Sequence, residues 1–199
     1  MNKKLTRSIL PRLFHPDKID WVIENDILHW IDHGLIITLM MSNKSGEWKL
    51  LTNRNVIDLN LDEEVLIKLA VENACENYIC KALEIPGGTG EPTLSGMKVL
   101  CIGIDRYGYG ASIMLNKDVL DLIALDYGEK MVVLPSSVYE VIVGPFDENL
   151  MEIYAHMLYQ INTENGDDER LSDGVFIYDS VRHDLTRYFK EEVKVDDQD

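Results

Sequence analysis

Little in this sequence suits covalent or metal chemistry. Only 3 of its 199 residues are cysteine, and no two are spaced Cys-x-x-Cys. That excludes a disulfide framework and the commonest thiolate zinc spacing, and it fits reduced thiols in a cytosolic setting. Cys75 and Cys80 lie five apart on an expected helix and so point to different faces. Long apolar runs are missing too. The charge-free stretch Gly34–Asn43 is far shorter than the roughly 20 apolar residues that span a bilayer, so no membrane contact is expected. The opening MNKKLTRSILPRLFHPDK is positive, but Pro11, Arg12 and Asp17 interrupt any apolar stretch that would make it a secretory signal.

Several catalytic and nucleotide signatures are also absent. There is no His-Glu-x-x-His and no Gly-x-Ser-x-Gly elbow. The glycine-rich PGGTGEP (86–92) lacks the Gly-Lys-Ser/Thr of a phosphate loop and follows a helical pattern, so it reads as a connector. DRYGYG (105–110) is not a dinucleotide fingerprint. Its tyrosines, Tyr107 and Tyr109, suit interface anchors at a hairpin tip. No cofactor is expected.

What the chain does have is negative charge: 19 basic against 35 acidic residues, net −16. Residues 1–97 hold 10 basic and 14 acidic residues, and residues 98–199 hold 9 and 21. The field of the second half repels nucleic acid and anionic membrane and attracts basic protein surfaces. A local run, Asp167-Asp168-Glu169, followed by Asp173, is the candidate contact. It lacks the alternating oxygen ligands and final Glu of a calcium loop.

Periodicity divides the chain into an N-terminal helical arm (1–34), an α+β domain (35–180) and a charged C-terminal tail (181–199). In the arm, Ile19, Val22, Ile23, Ile27, Trp30 and Ile31 fall near helical spacing. In the domain, a unit of two strands and a helix recurs three times. The first is LIITLMM (35–41) and EWKLLT (47–52), then a helix from about 61 to 82 capped by Asn60 with Glu63 in capping-box position. The second is KVLCIGI (98–104) and GASIMLN (110–116), then a helix capped by Asn116 and ended by Gly128. The third is MVVL and VYEVIV around Pro135-Ser136-Ser137, then a helix capped by Asp147. GVFIYDS reads as the last strand. The expectation is an α+β fold: one antiparallel sheet of about six or seven strands with helices on one side.

LLTN (50–53), LAVENA (69–74), YGASIMLNKDVLDLIA (109–124), VVLPSSVYEVIV (132–143) and RLSDGVFIYD (170–179) together resemble an uncharacterised family, domain of unknown function 5688. The resemblance implies proteins of gut anaerobes, often encoded on mobile genetic elements, with a shared fold and no known activity. It also implies a Pro-Ser-Ser segment followed by an apolar residue and His-Glu. Here Tyr139 stands where that histidine would fall, before Glu140.

Two function classes follow. The first is a non-enzymatic, acidic protein-binding module, an accessory or regulatory factor of a mobile element. Its contact residues would be Asp167, Asp168, Glu169, Asp173, Tyr107 and Tyr109, and its partner a basic protein rather than nucleic acid. An inhibitor of a basic nucleic-acid-binding host protein is the concrete version. The alternative is a hydrolase built on Ser136, Ser137 and Glu140, which requires a histidine within about 3 Å of a serine hydroxyl. A weaker alternative is a metal site at His29 and His33, i and i+4 on one helix, with Asp32 beside them.

Overall fold

The computed structural model describes residues 9–43, 45–60, 62–75, 78–83, 99–104 and 109–188. The glycine-rich 86–92 segment, Tyr107 and the charged end beyond residue 188 lie outside the described residues.

Among the described residues, ten strands form two antiparallel sheets. In the smaller sheet, β3 (Leu35–Ser42) is central, flanked by β1 (Ile9–Phe14) and β2 (His29–Asp32), with β4 (Trp48–Leu50) pairing its far end. The unbroken apolar run of β3 fits this place, because a strand covered on both faces needs no polar alternation; residues 35–40 are all buried. The β2–β3 hairpin turns through His33 (φ 50°) and Gly34 (φ 74°), two positive φ values that match the twist of its strands.

The N-terminal segment is therefore not a helical arm. Among its described residues only the 3-10 turn Pro16–Lys18 and α1 (Ile19–Glu24) are helical, and β1 and β2 supply two strands of a sheet. Pro11 sits opposite Leu39 in β1, a strand paired on one side only, where a missing N–H is tolerated. The helical spacing continues to Ile31, but Asp26 takes φ 55° and breaks the helix. Ile27 and Leu28 are then buried from extended backbone.

Two helices follow β4. The first, α2 (Asn53–Leu59), was not expected. Thr52 caps it: its hydroxyl accepts from Asn55 N at 3.2 Å, and Asn55 Oδ1 accepts from Thr52 N at 3.1 Å. Asn60 does not start the next helix but closes this one in left-handed conformation (φ 47°). The start of α3 (Glu63–Cys75) is held by Asp62, whose Oδ1 accepts from Val65 N at 3.1 Å. The helix does not run to about 82 as expected, because Tyr78–Leu83 form β5.

The larger sheet has the order β10-β9-β7-β8-β6-β5. It comprises β5, β6 (Val99–Ile104), β7 (Lys130–Leu134), β8 (Glu140–Pro145), β9 (Phe176–Asp179) and β10 (Asp184–Arg187). GASIML (110–115) is a 3-10 segment rather than a strand, and Gly110 through Met114 are all buried. A short apolar run fits a buried strand or a buried helical turn equally well by periodicity. As expected, Asn116 caps α4 (Lys117–Ala124), accepting from Val119 N at 2.9 Å, and Gly128 (φ 96°) closes its end with a 2.9 Å bond to Ala124 O. Asp147 caps the turn into α5 (Met151–Glu164).

Helices cover both faces of this sheet, not one. Met131, Val133, Val141 and Val143 point toward α4, the 3-10 segment, and Leu13, Leu35 and Ile37 of the smaller sheet. Val132, Leu134 and Ile142 point the opposite way, beneath Met151, Tyr154 and Leu158 of α5. The continuous VVL and VIV runs carry this two-sided burial.

The core contains titratable groups that oppose alkali. Burial pushes the Tyr154 and Tyr127 phenols up. Burial, then the Asp121 carboxylate, does the same for Tyr178. Burial and a hydrogen bond with Glu140 raise the Cys101 thiol from 9.0 to about 12. Well below pH 9.0, the ordinary thiol value, all four are neutral in both folded and unfolded chains. Above it the unfolded chain ionises first, so stability falls as pH rises. Melting temperature should decline progressively above that pH, and Tyr154→Phe should flatten the decline.

Candidate functional site

The Pro-Ser-Ser segment turns the corner between β7 and β8, and its hydroxyls are consumed locally. Ser136 Oγ donates to Glu140 O at 3.1 Å, and Ser137 Oγ accepts from Tyr139 N at 3.1 Å. Both serines are buried. The turn is tied to the acidic loop after α5: Asn165 Nδ2 donates to Ser136 O at 3.0 Å, and Val138 N donates to Glu169 O at 2.9 Å. Each backbone group so paired is one that burial would otherwise leave unsatisfied. The Glu140 carboxylate neighbours Cys101 on the adjacent strand and, after burial, helps to raise its thiol.

Neither serine hydroxyl bonds to a histidine among the described residues. His15 Nδ1 accepts from Asp17 N at 3.3 Å. His183 Nδ1 meets Asp121 Oδ2 at 2.7 Å. His156 lies exposed on α5. The expected helix bearing His29 and His33 does not exist. His29 is on β2 with Nδ1 2.8 Å from Ile27 O. His33 occupies the following turn, 3.5 Å from Asp32 and edge-on to Phe176. Among the described residues, no group of three or more metal-ligating side chains gathers.

The acidic loop and a tyrosine pair share one face. Tyr139, 43% exposed, stacks on Tyr109 with centroids 6.3 Å apart and donates its hydroxyl to Glu169 at 3.3 Å. Partial desolvation and that carboxylate push its phenol up. Asp167 and Asp168 are exposed. Asp168 accepts from Lys18 Nζ at 2.8 Å, which holds its carboxyl below the usual range. Asp173 binds Arg170 through both oxygens and accepts from Asn162 Nδ2 at 3.0 Å; the Arg170 pairing lowers its carboxyl too.

Three members of this face come from the N-terminal segment and were not singled out in the sequence: Arg12, His15 and Lys18. The Arg12 guanidinium lies between the Phe14 and Tyr109 rings, 4.4 and 4.2 Å from their centroids. Such a cation is attracted by both ring faces. Its Nε is buried without a hydrogen-bond partner among the described residues, and burial lowers its pKa. His15 Nε2 stands 3.7 Å from Asp173. No local pattern in the sequence joins them to this face, because Tyr109, Asp173 and Asp168, which they meet there, lie about 100 residues or more away.

Removing either serine hydroxyl should therefore cost only a local hydrogen bond. Ser136→Ala and Ser137→Ala should each lower stability by about 0.5–2 kcal/mol, measured by urea denaturation.

Fold and site together define an antiparallel α+β protein whose Pro-Ser-Ser corner supports an acid- and tyrosine-bearing face. The chain belongs to a family of unknown function (DUF5688), whose model matches residues 29–180. No curated protein and no solved structure is significantly similar to it. The matched span runs from β2 to the end of β9 and takes in the Pro-Ser-Ser corner and the acidic loop.

Proposed function

We propose that this is a non-enzymatic binding protein that receives a basic surface of a partner protein on the face formed by Tyr139, Tyr109 and the 167–173 loop. The carrying observation is the joining of a half-exposed, oriented tyrosine to an acidic loop by the Tyr139–Glu169 hydrogen bond. Tyrosine is a frequent energetic centre of interfaces, and flanking carboxylates select the sign of the partner. The net charge of −16 supports a protein partner over nucleic acid. Reduced cysteines support a cytosolic setting. A finer version is an accessory factor of a mobile genetic element that inhibits a basic nucleic-acid-binding host protein. It rests on the charge and on the family resemblance.

The test is capture of partners from a native host lysate with wild-type protein and with Tyr139→Ala. The variant should bind the captured protein about 30-fold more weakly, the loss of a central aromatic anchor at about 2 kcal/mol, with unchanged melting temperature. An unaffected affinity would remove Tyr139 from the interface.

The hydrolase reading around Ser136, Ser137 and Glu140 is the alternative. The hydrogen bonds that occupy both hydroxyls and the absence of a bonded histidine among the described residues weigh against it. Labelling of either serine by a fluorophosphonate probe would restore it.

A further inference from the structure

The outer side of α5 carries two adjoining cavities, of about 610 and 300 Å³, which share Ala155 and Asp173 in their walls. Together they make a groove between the helix and the loop running through Asp173, Gly174 and Val175. From Met151 to Thr163 it follows the helix for about 18 Å at 1.5 Å per residue. That accommodates about five residues of extended chain.

The groove is acceptor-rich. Carboxylates of Glu148, Glu152, Asp167 and Asp173 line it, against the guanidiniums of Arg170 and Arg187. Arg170 is already held at two points by Asp173. Neither Glu148 nor Asp167 makes an ion pair among the described residues. Asn162 braces the loop wall. Its amide nitrogen donates to Ser172 O at 2.8 Å and to Asp173 Oδ1 at 3.0 Å. Both of those partners only accept, which fixes the amide orientation. Ala155, a small residue at the junction of the two cavities, leaves the groove open there.

We propose that this groove is where the partner's basic segment docks: an extended stretch of a partner protein carrying arginine or lysine between small or apolar residues. The proposal deepens the binding reading above and rests on it. The cations would meet Glu148 and Asp167, and the intervening side chains would lie over Ala155.

A random peptide library displayed and selected on the immobilised protein tests this, with enriched peptides re-measured by fluorescence polarisation. Enriched sequences should carry arginine or lysine. Their binding should fall about tenfold or more in Ala155→Trp, which fills the groove without altering charge. It should fall similarly in Glu148→Gln/Asp167→Asn, and it should persist in Glu63→Gln/Glu64→Gln, two exposed acids on α3 outside the groove. Both groove variants should keep the wild-type melting temperature. Basic peptides that ignore Ala155→Trp but are lost in Asp168→Asn/Glu169→Gln would overturn the groove while leaving the acidic-face reading in place. Enrichment of peptides without basic residues, or no enrichment, would overturn both.

Discussion

Gly144→Ala should destabilise the protein by about 2–4 kcal/mol, far more than a glycine-to-alanine change in a strand ordinarily costs. A Cβ at residue 144 would collide with the Tyr154 hydroxyl and lie 3.2 and 3.3 Å from its ring carbons. Tyr154 is completely buried, and its hydroxyl donates to Pro145 O at 3.0 Å, so it has no room to retreat. Overpacking of this kind costs about 1–3 kcal/mol, and losing the hydrogen bond adds about 1 kcal/mol. The strand position itself favours a side chain over glycine, which offsets a little of that. The expectation has an internal control. Tyr154→Phe removes the nearest colliding atom, so Gly144→Ala should cost much less in that background. A double-mutant cycle by chemical denaturation reads the difference. Additive costs would mean that α5 does not press on β8 in this way.

This contact also marks what the sequence could and could not say. The strands at 35–42, 99–104, 130–134 and 140–145, and the caps at Asn116 and Asp147, are local features and were legible from pattern and cap chemistry. So was the Pro-Ser-Ser corner. The second sheet was not. Its β1 holds Pro11 and follows a positively charged start, and its β2 continues a helical spacing that only the backbone at Asp26 interrupts. The strand β10 is four residues long with one buried side chain, Leu185, too little alternation to read. Helices on both faces were not expected, one covered side being the expectation, although the continuous apolar runs VVL and VIV are what burial on both faces produces. At the candidate site, the acids and Tyr109 were visible as residue types. Their assembly with Arg12, His15 and Lys18 depends on the packing of one sheet against another, which no local window contains.

Replacing Asp167, Asp168 and Glu169 together with Asn, Asn and Gln should slow partner association several-fold while leaving the fold intact. The three positions lie on the exposed loop after α5. Asp168 loses its pairing with Lys18, an exposed contact of the kind that contributes little to stability. A glutamine at 169 keeps an oxygen for the Tyr139 hydroxyl, so the tyrosine keeps its orientation. The tie from Val138 N to residue 169 uses the backbone carbonyl and survives. What changes is the field: three negative charges are removed from the face that is proposed to steer a basic surface inward. Stopped-flow association should therefore show a reduced on-rate with a nearly constant off-rate.

Salt dependence of the association rate tests the central claim most directly. Exposed charges are screened beyond about 8 Å at physiological ionic strength and beyond about 3 Å at 1 M salt. If the acidic, tyrosine-bearing face receives a basic protein, the wild-type on-rate for the captured partner should drop steeply between low and high salt. The triple variant should start slower and vary less. An on-rate indifferent to both salt and the triple substitution, or direct binding of DNA or RNA by the isolated protein, would contradict the account.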